Sequence, residues 1–426
     1  MSTFKSTSSP KPSTKVRDGW DIAVTGGGLT PVFQSIVSLP DGATVGFEAL
    51  ARWPELGCLS ADAVFAHVAA YGREQQLEKA CIDAALQAAL SAGVGPATMM
   101  FINCEPTTRY VDRAHNQLLA SGAENLQIVF ELTERSLLTD PPALLRKVNA
   151  IREDGFAVAL DDVGANLDSL ALLDVISPDV IKLDLALVQS RPRYQQARTW
   201  AAVLAHHERA GAVVLAEGIE TAEHLQRALS LGATLGQGFL FGHPGPLPID
   251  QLAPAVSTPP ARTQRPWRDA KSPFDAVVAG QVPTRTERKD TVVALSRYVE
   301  RQALEATDPP MVLTAVQRAE FFTGPTQRMY RHLGTSSPLV AVFGPGLAAD
   351  LGAGVRGVSF DTADPLSSQW IVLTLGVNTA TALIAREHDD NDVHHRGDAD
   401  RLFEVAITHD RTLVSIAARN LLSRMT

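Results

Sequence analysis

Eight short apolar runs alternate with longer amphipathic runs between about residues 30 and 246, and this alternation limits the fold more than any other feature. The apolar runs are PVFQSIVS, VGFEAL, MMFINC, IVFELT, AVALDDV, VIKLDL, AVVLAEGI and ATLGQGFLF. The amphipathic runs include 77–93 and 142–155, and both end in a glycine just after the last periodic residue, as helices often do. Roughly eight strands separated mostly by helices predict an α/β fold, and a (β/α)8 barrel fits that number.

Seven successive apolar runs end in residues that bind metals or move protons. These residues are Glu48, Asn103, Glu131, the pair Asp161 and Asp162, Lys182 with Asp184, Glu217, and Gln237. The C-terminal ends of parallel barrel strands share one face, which is where such enzymes have their active sites. One carboxylate at a strand end is usually a solvated rim residue. Several that converge repel each other unless cations neutralise them.

Ligands of this kind predict two Mg²⁺ or Mn²⁺ ions, because zinc would call for His or Cys. Asp161 could bridge the two ions while Asp162 holds the second, an arrangement suited to in-line displacement at phosphorus. Lys182 could orient the attacking water or stabilise the developing negative charge. The pattern predicts phosphodiester hydrolysis. Proton abstraction of the enolase type is a weaker rival, because a barrel that starts near residue 30 leaves no room for the capping domain of those enzymes.

Together these residues resemble the EAL-domain cyclic di-GMP phosphodiesterases over roughly residues 30–246. The matching motifs are EALARW from Glu48, FINCEP around Asn103, ELTE from Glu131 to Glu134, LDDVG around Asp161 and Asp162, KLD from Lys182 to Asp184, EGIE from Glu217 to Glu220, and Gln237-Gly238. Each motif alone is weak, but all of them occur in the order typical of the family. The resemblance implies a modified TIM barrel that hydrolyses 3′,5′-cyclic di-GMP to linear pGpG.

The resemblance also implies a role for each residue. Glu48, Asn103, Glu131 and Asp161 would hold the first metal ion, and Asp161, Asp162 and Glu217 the second. Lys182, Glu217 and Gln237 would be catalytic, with Lys182 in contact with the nucleophilic water. Arg52 would bind a substrate phosphate, and Gln34 would lie near the guanine. Glu134, Asp184 and Glu220 would support loops or metal ligands.

The sequence departs from the family's pattern in one loop. In LDDVGANLDSL, Val163 stands where the family more often has phenylalanine, and 165–167 read Ala-Asn-Leu in place of a Thr-Gly-Tyr run. This alters the loop that, in the family, couples metal binding to dimer contacts. Ser35 also replaces a proline beside Gln34. Because no metal ligand is missing and the lysine is present, we favour an active enzyme, and a catalytically silent cyclic di-GMP receptor is the alternative.

Changes in composition divide the chain. Residues 1–20, rich in Ser, Thr, Pro and Lys, predict a disordered leader, and 21–252 form the barrel. Residues 253–273 are dense in Pro, Ser, Thr and charge, which predicts a linker. Residues 274–426 predict a smaller α/β domain that resembles the DICT sensory module, chiefly in 403–422. We expect this domain to regulate the barrel and to have an unidentified ligand or protein partner.

The composition excludes several classes of function. A net charge of −9 without a basic stripe argues against a nucleic-acid polymer as partner. No apolar run is long enough for a membrane span. Three cysteines, Cys58, Cys81 and Cys104, form no disulfide framework, and a cytoplasmic location is expected. A homodimer is an expectation from the family. The segment 388–395 contains three histidines but is interpreted as a polar loop.

Overall fold

The computed structural model describes residues 20, 22–23, 26–56, 60–133, 138–165, 167–190, 193–248, 270–322, 324–388 and 398–425. The predicted leader lies outside these residues except for Trp20, and so does most of the predicted linker. Cys58, Glu134 and residues 389–395 of the histidine-containing segment are also outside the described residues. No helix in the described part of the chain is long and apolar enough to cross a lipid bilayer.

Eight strands close into a barrel in chain order. They are β1 (Thr30–Ser38), β2 (Thr44–Arg52), β3 (Met99–Cys104), β4 (Gln127–Thr133), β5 (Ala157–Val163), β6 (Val180–Leu183), β7 (Val213–Ala216) and β8 (Leu235–Gly236). Each predicted apolar run overlaps one of these strands. Strand β1 is antiparallel to both β2 and β8, whereas the other neighbouring strands are parallel. The fold is therefore a modified TIM barrel, as predicted.

Helices cover the outside of the barrel. They are α1 (Ala61–Ala69), α2 (Glu74–Ser91), α3 (Gln117–Asn125), α4 (Pro141–Glu153), α5 (Leu173–Ile176), α6 (Leu185–Gln189), α7 (Tyr194–Ala210) and α8 (Ala222–Ser230), with a 3₁₀ helix at Leu167–Leu172. The helices predicted at 77–93 and 142–155 correspond to α2 and α4. Outward-facing strand residues such as Phe130 and Ile181 pack against these helices in a large apolar cluster.

The inside of the barrel has an apolar layer and a polar layer. Side chains on a strand alternate between its two faces, so residues two apart point the same way. Phe101, Val129, Ala159, Val180, Leu215 and Leu235 belong to one buried apolar cluster inside the barrel. Two residues later, the same strands or the residues that follow them carry Asn103, Glu131, Asp161, Lys182, Glu217 and Gln237. The polar layer therefore lies next to the apolar layer, toward the C-terminal ends of the strands.

The second domain is built on a seven-stranded mixed sheet in the order β12-β11-β10-β13-β14-β15-β9. Its elements are α9 (Pro273–Ala279), β9 (Arg285–Arg288), α10 (Lys289–Leu304), β10 (Met311–Ala315), α11 (Gly324–Leu333), β11 (Val340–Phe343), β12 (Val355–Val358), β13 (Gln369–Leu375), β14 (Ala380–Glu387), β15 (Leu402–Thr408) and α12 (Arg411–Leu422). Strands β13 and β14 form an antiparallel hairpin around Val377 and Asn378. This domain is α/β, as predicted.

The two domains pack directly against each other. Helix α12 lies against α5 and α4 of the barrel, and residues of both domains share one buried apolar cluster. Arg419 donates to the Val175 carbonyl at 2.6 Å and to Asn149 Oδ1 at 2.6 Å. Arg356 donates to the Leu138 carbonyl at 2.8 Å. The contact therefore combines apolar packing with arginine hydrogen bonds.

Candidate active site

Lys182 lies at the centre of a group of carboxylates that come from four strand ends. Its Nζ is 2.7 Å from Glu131 Oε1, 2.7 Å from Glu217 Oε1, 3.0 Å from Asp161 Oδ1 and 3.7 Å from Glu48 Oε2. The Lys182 side chain is 0% exposed, and so is that of Glu131. The strand alternation described above brings these residues, which are far apart in sequence, into one buried polar layer.

Burial and mutual repulsion control the charges in this layer. Burial raises the pKa of Glu131 well above its usual value, and the neighbouring charges of Glu48 and Asp161 raise it further, against the effect of Lys182. Burial likewise raises the pKa of Glu217 to about 8. Burial alone would lower the pKa of Lys182, but the carboxylates of Asp161, Glu131, Glu217 and Glu48 raise it well above its usual value. The lysine is therefore an ammonium ion that partly compensates an acidic cluster.

A bulge in β5 brings two consecutive aspartates to the same site. In a regular strand, adjacent side chains would point to opposite faces. The register between β5 and β6 shifts between Leu160 and Val163, and Asp162 adopts a left-handed backbone conformation with φ of 57°. As a result, Asp161, Asp162 and Glu217 each offer a carboxylate oxygen within 4.8 Å of the other two. Bulges of this kind re-aim side chains next to active sites.

Amide side chains hold the opposite edge of the site. Gln237 Nε2 donates to Glu48 Oε2 at 2.6 Å and to Gln34 Oε1 at 3.1 Å, while Asn103 Nδ2 donates to Glu48 Oε1 at 3.2 Å. Gln34 in turn donates to the Gly242 carbonyl at 3.3 Å. Both Glu48 oxygens are therefore fixed by hydrogen bonds. A Cβ on Gly238, the residue after Gln237, would lie 2.2 Å from the Ile219 carbonyl oxygen, so glycine is required for this approach.

The other predicted site residues lie outside the buried cluster. Arg52 is exposed at the end of β2, where its Nη1 donates to the Ala51 carbonyl at 2.9 Å. Asp184 caps α6, accepting a hydrogen bond from the Ala186 N–H at 2.8 Å. Glu220 is exposed, and its backbone N–H donates to His224 Nδ1 at 3.3 Å. The structure thus brings together the predicted metal ligands, Lys182, Gln237 and Gln34, but not these three residues.

A second buried lysine supports the loop after Asn103 and was not predicted. Lys147 Nζ donates to Glu78 Oε1 at 2.6 Å, to Thr108 Oγ1 at 2.6 Å and to the Glu105 carbonyl. Glu105 lies two residues after Asn103, so this network anchors the chain that follows a predicted metal ligand. In the sequence, the signal that could have indicated this network is a lysine on the apolar face of the amphipathic run 142–155.

The residues of the buried layer fit divalent cations. Among the residues described, four carboxylates, those of Glu48, Glu131, Asp161 and Glu217, lie within 4 Å of the single ammonium ion of Lys182, and Asp162 lies beside two of them. The donor set consists of carboxylate and amide oxygens, which suit Mg²⁺ or Mn²⁺. Glu131 is fully buried, yet its Oε2 has no hydrogen-bond donor in the described part of the chain. A cation would satisfy both the surplus charge and this oxygen.

Family profiles match parts of both domains. The profile of the EAL domain matches residues 18–244. The profile of the DICT domain, described as a sensory domain in diguanylate cyclases and two-component systems, matches residues 276–388. Both matches agree with the resemblances stated above. The first match covers most of the barrel, and the second covers part of the second sheet domain.

Curated relatives match mainly the barrel. The uncharacterized protein y4lL of Sinorhizobium fredii is 31% identical over 54% of this chain and 28% of its own length. The cyclic di-GMP phosphodiesterase NbdA of Pseudomonas aeruginosa is 30% identical over 50% of this chain and 29% of its length. The cyclic di-GMP phosphodiesterase RocR of the same organism is 28% identical over 50% of this chain and 57% of its length. This chain therefore covers less than two thirds of each of these relatives.

The chain is also similar to a solved structure. BlrP1 of Klebsiella pneumoniae, in a complex with manganese and cyclic di-GMP, is 30% identical, with a TM-score of 0.46 over 52% of this chain and 57% of that one.

Proposed function

The chain belongs to the EAL-domain family, and we propose on this premise that its barrel hydrolyses 3′,5′-cyclic di-GMP to linear pGpG with the help of divalent cations. The observation that carries the proposal is the buried acidic layer around Lys182, in which four carboxylates share one ammonium ion. The names of NbdA and RocR, as cyclic di-GMP phosphodiesterases, support the choice of substrate.

We assign two metal ions to this layer, with Mg²⁺ and Mn²⁺ as the candidates. Glu48, Asn103, Glu131 and Asp161 would hold one ion, and Asp161, Asp162 and Glu217 the other. The carboxylate oxygens that Asp161, Asp162 and Glu217 offer within 4.8 Å of one another support the second set. When bound, such ions polarise the phosphoryl oxygens and lower the pKa of a coordinated water.

Lys182 is the residue to which we assign contact with the attacking water. Its ammonium group cannot act as a base while its pKa is raised, so its role is to donate a hydrogen bond and to stabilise negative charge. Its distances of 2.7 Å to Glu131 and Glu217 support a fixed position in the layer. Gln237 would keep Glu48 oriented, and its hydrogen bond of 2.6 Å to that residue supports the role.

The reaction requires one bond to form and one to break at phosphorus. A linear product with a 5′-phosphate results when the water oxygen bonds to phosphorus and the bond to the ribose 3′ oxygen breaks. The departing 3′ oxygen takes up a proton, and the water loses one. We assign Arg52 to a substrate phosphate, because its planar guanidinium group suits that ligand, and Gln34 to the guanine side. The exposed position of Arg52 at the end of β2 supports access to a substrate.

We further propose that the second domain regulates hydrolysis through α5. The 3₁₀ helix Leu167–Leu172 and α5 follow the bulge with Asp161 and Asp162, and the arginines of α12 bind α5 directly. Arg411 forms an ion pair with Asp174, and Arg419 donates to the Val175 carbonyl. Movement of α12 would therefore displace the chain that follows two proposed metal ligands.

The test of hydrolysis is a time course of the full chain with cyclic di-GMP and Mg²⁺, with chromatographic separation of the products and a chelator control. We expect pGpG to appear with the parent protein and to fall by at least about 10²-fold with Glu131→Gln. Glu153→Gln, an exposed change on α4, is the matched control and should act like the parent. Tight binding without product in Mg²⁺ and in Mn²⁺ would instead support the receptor alternative.

The test of regulation compares two arginines of the same C-terminal segment. We expect Arg419→Gln, which removes the bond to α5, to change the rate of hydrolysis or its dependence on Mg²⁺. Arg424→Gln is the control, because Arg424 bonds to Asn420 and to the carbonyl of Lys271 just before α9, not to the barrel. Equal rates for Arg419→Gln and the parent would remove the support for regulation through α5. The cytoplasmic location and the homodimer remain predictions, and light scattering would test the dimer.

A further inference from the structure

A cavity of about 590 Å³ lies in the second domain, between α10, α11 and the end of β10. Its size is in the range of small-molecule sites, which are typically apolar with a few polar groups. Phe321, Phe322, Met329, Trp370, Val293 and Val316 supply apolar wall around it. An aromatic or aliphatic ring system could therefore pack inside it.

Glu300 is a buried polar group of this cavity whose hydrogen bonding is incomplete among the described residues. It is 8% exposed, and one oxygen accepts a hydrogen bond from the Tyr330 hydroxyl at 3.0 Å. Its other oxygen, Oε2, receives no hydrogen bond from any residue that the structure describes. Burial raises the pKa of Glu300, while the Tyr330 hydrogen bond and the charge of Arg297 lower it in part. A buried carboxylate with a free oxygen calls for a hydrogen-bond donor.

The other buried polar groups on the cavity wall already have partners within the protein. Thr314 donates to the Ile371 carbonyl at 2.6 Å, and Ser296 donates to the Val292 carbonyl at 2.9 Å. Gln317 donates to Glu387 at 2.9 Å and accepts from Arg401 at 2.7 Å. Because these groups are already bonded, Glu300 determines where the polar group of a ligand binds.

The charged groups near the cavity mouth are solvated or paired. Arg297, Arg301 and Glu320 are exposed, so water and salt screen their charges. Lys289 is ion-paired with Asp398, and its Nζ lies 4.9 Å from the centre of the Phe321 ring. The buried carboxylate is less screened than these groups, and its preference for a donor therefore dominates recognition inside the cavity.

We propose that this cavity is a binding site for a small aromatic amine, whose N–H group or ammonium group donates to Glu300 while its ring packs between Phe321, Phe322 and Trp370. The aromatic walls also favour a cation near the ring faces. This site is separate from the barrel, and its occupation does not depend on whether the barrel hydrolyses a dinucleotide.

The test measures the binding of three probes of similar size to the full chain by isothermal titration calorimetry. The probes are tryptamine, neutral indole and indole-3-acetate. We expect tryptamine to bind at one site per chain and at least tenfold more tightly than indole-3-acetate, with indole between them. Glu300→Gln keeps an oxygen for the Tyr330 hydroxyl but removes the charge. It should weaken tryptamine binding at least tenfold and leave indole binding within about twofold.

Two further variants keep the test decisive. Glu305→Gln, an exposed change just beyond α10, should bind all three probes like the parent. Val293→Phe places a ring in the cavity and should weaken tryptamine and indole alike, which tests the site if circular dichroism shows that Glu300→Gln is unfolded. The proposal is overturned if tryptamine does not bind, if indole-3-acetate binds as tightly as tryptamine, or if neither Glu300→Gln nor Val293→Phe weakens tryptamine binding.

Discussion

At the scale of single residues, Lys182 and Lys147 show that the same residue type can have two different roles in one barrel. Both are buried, and both ion-pair with glutamate. Lys147 has one carboxylate partner, Glu78, and completes its bonding with Thr108 and a backbone carbonyl. Lys182 instead lies among four carboxylates that outnumber it. The first arrangement is electrically balanced and structural, whereas the second has surplus negative charge that cations can use.

This difference predicts opposite effects for two otherwise equal substitutions. Lys182→Met should reduce hydrolysis by about 10²–10³-fold in Mg²⁺ while cyclic di-GMP still binds, because the lysine stabilises charge that develops during the reaction. Lys147→Met should lower the free energy of unfolding by about 3–5 kcal/mol, because it leaves Glu78 buried without its partner. Initial rates per folded molecule and urea unfolding of both variants measure these effects. Equal rate losses in the two variants would contradict the assigned roles.

At the scale of secondary-structure elements, the sequence predicted the strands well because side chains on a strand repeat every two residues. The apolar residue Val129 and the acidic residue Glu131 share one face of β4, and the sequence pattern alone indicates this. The strand period does not explain why Asp162 shares the site, since a regular strand would turn it away from Asp161; the pair of adjacent aspartates, not the strand pattern, was the basis for predicting it as a ligand. The bulge depends on the register between β5 and β6, which is a tertiary property.

The bulge predicts that backbone and carboxylate effects at Asp162 can be separated. A left-handed conformation costs a residue with a Cβ about 1–2 kcal/mol, and glycine adopts it without that cost. We therefore expect Asp162→Gly to be more stable than Asp162→Ala by about 1 kcal/mol in chemical denaturation. Both variants lack the carboxylate, so both should lose hydrolysis to the same extent. A stability of Asp162→Ala equal to that of Asp162→Gly would show that φ at this position is not constrained.

The convergence of acidic strand ends predicts that divalent cations stabilise the barrel. A ligand that binds only the folded state raises its stability by about 2.7 kcal/mol at a concentration one hundred times its dissociation constant. We expect the midpoint of thermal unfolding to rise with added Mg²⁺ or Mn²⁺ and to return with a chelator. Asp161→Asn should lose most of this rise, whereas Glu153→Gln should keep it. A rise of the same size in Asp161→Asn would mean that the ions bind elsewhere.

At the scale of the whole molecule, the contact between the domains is centred on Asp174 at the start of α5. Its carboxylate is 11% exposed and is shared by His206 at 2.9 Å and Arg209 at 3.0 Å from the barrel, and by Arg411 from α12. The sequence did not indicate this site, because its partners are separated by up to 237 residues. No local pattern distinguishes Asp174 from a solvated aspartate, so long-range contacts of this kind required the structure.

The Asp174 site predicts that the contact between the domains depends on pH. Burial alone would raise the pKa of Asp174, but the hydrogen bond from His206 and the charge of Arg411 lower it below the ordinary value of about 3.9. A lowered pKa in the folded state means that ionised Asp174 stabilises the fold above about pH 4. This contribution is lost as the pH falls further, because protonation then favours the unfolded chain.

Arg411→Met should therefore destabilise the protein most at pH 7, and the difference from the parent should shrink as the pH falls below about 4. Urea unfolding of both proteins at several pH values measures the difference. Arg424→Met is the control, since its carboxylate neighbour, Asp364, is not Asp174. Asp174 lies on the chain that follows the β5 bulge. A constant difference between the free energies of unfolding of Arg411→Met and the parent at all pH values would show that the ion pair between Arg411 and Asp174 does not hold α12 on α5.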